Sequence, residues 1–188
     1  MTPTESAAAK PPLITPTFVL AWVANFCQFL VFYLFVTTMA LYAVESFGAS
    51  DTVGGFASSA FVLGATCMRV FSGWIVDRVG HKKAALASLA FVTLVAVAYF
   101  FAHNVAVLII VRMVHGAGYA LTSTALMAVA QTVIPHERRA EGTGYFALGT
   151  TLATAFGPAI GLLLANNIGY TTLFAAALGA NIVSLILA

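Results

Sequence analysis

Three stretches of this sequence set polar or ionisable side chains inside apolar runs. Arg112, His115, Tyr119 and Ser123 follow at i, i+3, i+7 and i+11, so a helix places them on one face. Asn25, Gln28 and Phe32 repeat i, i+3, i+7 upstream. Arg69 interrupts a third run and shares helical spacing with Ser58, Ala65 and Ser72. A guanidinium pairs with acids or binds anionic groups. An imidazole exchanges protons near neutral pH. Buried amides and a ring are candidate contacts for an organic solute. There is no Cys/His spacing for zinc, no Gly-rich phosphate loop and no nucleophile motif, so no enzyme, metal, cofactor or nucleic-acid partner is expected.

The elements that must hold these groups are membrane spans. Of the 188 residues 61% are hydrophobic and 7% charged, and the mean hydropathy is +0.99. A soluble domain carries about 25% charged residues. A bilayer-crossing helix needs about 20 apolar residues. Six runs qualify: 18–44, 52–76, 84–101, 105–134, 142–165 and 170–188. They predict an all-α membrane bundle over residues 17–188, after a Pro- and Ala-rich disordered tail at residues 1–16. In the first span Phe26, Phe29 and Phe35 read as lipid and packing surface. Cys27 and Cys67 both fall inside runs and read as apolar packing residues.

The connections separate by charge. The tail, Asp77–Lys83 and Pro135–Glu141 hold Lys10, Arg78, Lys82, Lys83, Arg138 and Arg139. The alternate connections, Glu45–Asp51, His103-Asn104 and Asn166–Gly169, hold no lysine or arginine. The positive-inside rule then puts the N-terminus and both basic loops in the cytoplasm of a multi-pass protein of the bacterial inner (plasma) membrane. The basic residues also suit anionic lipid.

The loop between spans two and three reads Gly73-x-x-x-Asp77-Arg78-x-Gly80-His81-Lys82-Lys83. Gly73 would let another helix pack closely. Asp77 could sit against the positive end of a neighbouring helix or pair with an arginine. Gly80 permits a positive φ in a tight reversal. This pattern resembles the signature loop of major facilitator superfamily transporters, with His81 where the family commonly has arginine. The resemblance implies that Gly73, Asp77, Arg78, Gly80, Lys82 and Lys83 latch two six-helix halves and gate their rocking.

Two further stretches carry the same resemblance. Arg112-x-x-His115-Gly116-x-Gly118-x-Ala120 is similar to the family's fourth-helix pattern, with His115 in place of glutamine. There Arg112 is implied in proton coupling or substrate contact; a buried ion pair is the structural reading. An arginine at such a depth is expected to face a water-filled cavity or an acid. His115 reads as a coupling group or a hydrogen-bonded cavity residue, and Arg69 as a snorkelling or a cavity residue. Gly144-(x8)-Ala153-(x3)-Gly157-Pro158-x-x-Gly161-Leu162 resembles the antiporter motif, with Ala153 and Leu162 replacing two glycines. It implies export. As packing, it is a bent helix with a close crossing at Gly157 and Gly161.

The family resemblance implies six helices in two inverted three-helix repeats, one half of a transporter. The expected function is proton-coupled efflux of a small organic solute by alternating access. Uptake of a sugar or organic acid, and a non-transporting sensor subunit, are the alternatives. The chain stops inside its sixth span, so the expected partner is a C-terminal six-helix half, or a second copy of the chain. No Asp or Glu lies mid-span. A carboxylate proton carrier must then lie elsewhere, or coupling uses Asp77, Glu141 or His115.

Overall fold

The computed structural model describes residues 11–188; residues 1–10, Lys10 among them, lie outside the described residues. Six helices follow in order: α1 (Pro16–Phe47), α2 (Asp51–Val79), α3 (His81–Ala98), α4 (Val105–Val133), α5 (Arg139–Asn167) and α6 (Tyr170–Leu187). Single 3-10 turns at Tyr99–Phe101 and His136–Arg138 extend α3 and lead into α5. All six helices are long and apolar enough to cross a membrane. Among the described residues no strand is formed.

The helix ends differ from the expected loops. Only Gly80 stands between α2 and α3, so Asp77 and Arg78 close α2 while His81, Lys82 and Lys83 open α3. Gly80 takes φ +92°, which lets one residue reverse the chain. The charges cluster there because both helices leave the apolar layer at that level, not because the chain uncoils. Thr15 starts α1 by accepting a hydrogen bond from the Phe18 N–H at 3.2 Å, with Pro16 in the first turn. Residues 11–15, counted with the tail on sequence grounds, are docked. Leu13 packs with Phe18, Ala21, Ala130, Ile134 and Phe146. The Pro11 carbonyl accepts from Arg138 Nη1 at 2.9 Å.

Packing repeats with inverted sense. α2 lies along α4 as α5 lies along α1, and α3 lies on α4 as α6 lies on α1. Exchanging α1–α3 with α4–α6 maps each contact onto the other, as inverted repeats require. Glycines make both long crossings close. A Cβ on Gly64 would overlap the Met113 carbonyl, and one on Gly116 would overlap the Phe61 carbonyl. On the other side Gly157 meets Tyr33, and Gly161 meets the Leu34 carbonyl. The outer surface keeps large apolar side chains exposed, among them Val70, Trp74, Leu94, Phe101 and Ile186. In water that surface would aggregate; against acyl chains it is matched.

Candidate functional site

The four α4 residues on one face divide between two settings. Arg112 and His115 belong to a closed aromatic core. Arg112 has no exposed surface. Its Nη2 donates to the Ser58 carbonyl at 2.9 Å and its Nε to the Ala57 carbonyl at 3.4 Å, both on α2. The guanidinium carbon lies 4.8 Å from the Phe61 ring centre and 5.9 Å from that of Phe35. Among the described residues no carboxylate reaches it, and Nη1 has no hydrogen-bond partner. The sequence expectation of a wet cavity or an acid partner is thus replaced by backbone carbonyls and ring faces. The close crossing explains this, because it brings the α2 backbone within reach of α4.

His115 is equally enclosed. Its Nδ1 shares a 3.0 Å hydrogen bond with the Tyr99 hydroxyl, and Phe35 and Phe61 pack edge-on against the imidazole. Tyr99 sits in the 3-10 turn after α3 and was not read as a site residue. Nothing in its local sequence marks it; the end of the third span merely carries three aromatics.

The second setting is an open recess of about 320 Å³, lined by Asn25 and Phe29 of α1, Arg69 of α2, Ser123, Thr124 and Met127 of α4, and Phe146 and Thr150 of α5. Asn25, Arg69, Ser123 and Thr150 each lie nine to eleven residues from the helix end nearest the basic connections. At 1.5 Å per residue that is about 15 Å, roughly a third of the way along helices of 29 to 32 residues. Arg69 Nη2 reaches across to the Ser123 hydroxyl at 3.4 Å. Tyr119 is buried behind the lining residue Phe29, edge-on to it with ring centres 5.5 Å apart and stacked on Phe32 at 5.8 Å.

Of the predicted α1 contacts, Asn25 lines this recess, while Phe32 stacks on Tyr119 and is not part of the lining. Nor does Gln28 line it: its amide donates to Asn181 Oδ1 of α6 at 2.9 Å and is 1% exposed. Phe29, read as lipid or packing surface, takes the recess position instead. The two stripes differ by one residue, and a helix apolar all round gives no contrast to separate them.

The remaining motif residues fall at the ends and crossings. Gly118 meets Phe91 and Val92 of α3. Gly144 and Gly73 have nothing within 4 Å where a Cβ would stand. The helix expected to pack on Gly73 is therefore not one of these six. Asp77 is exposed and 4.0 Å from His81 Nε2, with no arginine paired to it among the described residues. Arg78 lies over the Trp74 ring at 5.3 Å. Lys82 and Lys83 are exposed in the first turn of α3. α5 passes through Pro158 without a break, and its missing N–H leaves the Thr154 carbonyl without its helical donor.

Comparison with known proteins agrees with this architecture. The chain is 31% identical over 123 residues to the staphylopine export protein of Staphylococcus aureus, covering 64% of this chain and 31% of that protein. It is 29% identical over 161 residues to the multi-drug resistance efflux pump PmrA of Streptococcus pneumoniae, covering 82% and 39%. An uncharacterized protein of Mycobacterium bovis is 36% identical over 99 residues, covering 52% and 24%. The matches thus span between about a quarter and two fifths of the relatives' lengths. The Major Facilitator Superfamily family model matches residues 21–188. A bundle of six spans, paired by inverted glycine crossings and matched over nearly its whole length, places this multi-pass membrane chain in the major facilitator superfamily.

Proposed function

We propose that the chain forms the N-terminal six-helix half of an exporter that moves a small organic solute by alternating access, coupled to protons. The observation that carries this reading is the recess. It holds a cation and several neutral polar groups inside the spans, two to three turns from the helix ends, where a bilayer tolerates them only against water or a solute. The named efflux relatives and the glycines at Gly157 and Gly161 favour export. The second half would close the recess. Gly73 and Asp77 stand on an open surface that suits the latch between halves. The test is solute counterflow and pH-gradient-driven flux with the full-length protein in liposomes. Exchange of no solute would refute transport and favour a sensor; flux only toward the cytoplasm would replace export with uptake.

In this reading His115 holds Tyr99 and the aromatic core rather than carrying the coupled proton, because it is buried and lines no part of the recess. His115→Gln keeps a donor and an acceptor. It is expected to retain pH-driven flux within about threefold, with the exponent of its proton dependence unchanged. Loss of pH-driven flux with counterflow intact would make His115 the coupling group. Orientation follows from the charge asymmetry. Cysteine at position 82, with the exposed Cys67 replaced by serine, is expected to react with an impermeant maleimide in inverted vesicles and not in intact cells. Labelling in intact cells would reverse the topology.

A further inference from the structure

We propose that the recess selects organic anions, and that Arg69 is the group that binds their acid function. This rests on the transport reading above and names the substrate class of the same site. Arg69 is the one charged side chain lining the recess. It does not snorkel to the rim: Nη2 is held toward Ser123, itself ten residues inside α4. That hydroxyl is neutral and also donates to the Ala120 carbonyl at 3.2 Å, so it cannot balance the charge. Among the described residues the two ion pairs with an acid are His81–Asp77 and Arg138–Glu141, both at the basic rim. A guanidinium ten residues inside α2, open to the recess and lacking a carboxylate, has five donors of which one is used. A carboxylate, sulfonate or phosphate would take two of them side by side, in a site of lowered dielectric.

The rest of the lining fixes the other end of the solute. Asn25 is 3% exposed, lines the recess, and makes no side-chain hydrogen bond among the described residues. Its amide is thus available to a neutral polar group on the solute. Phe29 and Phe146 supply apolar walls. The ligand that these groups recognise has one acid, one ring or branched apolar body, and a hydrogen-bonding substituent.

Three naphthalene probes of one shape separate charge from size: 2-naphthoate, 2-naphthamide and 2-naphthylmethylammonium. Their binding to detergent-purified full-length protein is measured by equilibrium dialysis. Naphthoate is expected to bind at least tenfold more tightly than either of the others. Arg69→Gln should erase that preference, Arg69→Lys should keep most of it, and Arg69→Glu should reverse it toward the ammonium probe. A gained preference cannot arise from misfolding. Equal binding of the three, preference for the cation, binding of none, or an unchanged preference in Arg69→Gln would each overturn the proposal. These failures are distinct from failure of transport. A protein that exchanges solutes without charge preference refutes the anion site alone. One that prefers naphthoate but exchanges nothing refutes transport alone.

Discussion

Replacing Gly116 with alanine is expected to disrupt the bundle, although alanine is the better helix former. In an exposed helix the exchange would gain about 1 kcal/mol. Here the new Cβ would stand on the Phe61 carbonyl, and the Phe61 Cα and carbonyl carbon lie within about 3 Å of it as well. Those are main-chain atoms of α2, which cannot rotate aside as a side-chain tip can. The reciprocal contact of Gly64 with Met113 fixes the same crossing from the other helix. Relief therefore requires the two helices to separate along their length. Overpacking costs about 1–3 kcal/mol, occasionally more; overlap with rigid backbone puts this site at the upper end, above the propensity gain. Gly116→Ala should lose the monodisperse peak in detergent chromatography, or lower the unfolding midpoint by several degrees. Gly144→Ala, with open space at its Cβ position, should do neither. A Gly116→Ala protein as stable as the parent would show that the crossing is looser than the structure has it.

The crossing also explains which parts of this molecule can be read from sequence. The number and order of the spans follow from hydropathy alone, since an unbroken apolar run of about 20 residues satisfies its backbone inside lipid as a helix. Their ends do not. Asp77, Arg78 and His81 look like loop residues, yet a helix leaving the apolar layer continues through charged positions, and only Gly80 interrupts it. The polar face of α4 was legible because it carries the rare ions. Its partition into a sealed core and an open recess was not, because that depends on how closely α2 approaches. The partners of Gln28 and His115 are Asn181 and Tyr99. Each comes from another helix, and local spacing carries no trace of such a pairing. Gly73 and Gly144 illustrate the opposite case: a motif locates them, but no described residue stands within 4 Å of where their Cβ would be.

Replacing Arg112 with methionine is expected to leave the bundle folded while lowering transport about a hundredfold or more. The two effects separate because a buried cation is poor evidence for stability. Desolvating it costs several kcal/mol, and here no carboxylate offsets that cost. What compensates is two α2 carbonyls and the faces of Phe61 and Phe35. Those carbonyls belong to helix residues, so removing the guanidinium does not strand them. Methionine fills similar length with no charge to desolvate, so the unfolding midpoint should stay within a few degrees of the parent or rise. The guanidinium also joins three helices: it holds the Ser58 carbonyl of α2, and the Ser58 hydroxyl donates to the Val36 carbonyl of α1 at 2.6 Å. Under the proposed alternating access, a cation without an acid partner is worth keeping only if another state uses it, with Nη1 already free of hydrogen bonds among the described residues. Counterflow in liposomes and thermal unfolding of the same preparations decide the matter. If Arg112→Met transports within threefold of the parent, the arginine is structural after all. If it unfolds instead, the carbonyl and ring contacts stabilise the bundle by more than the desolvation they offset.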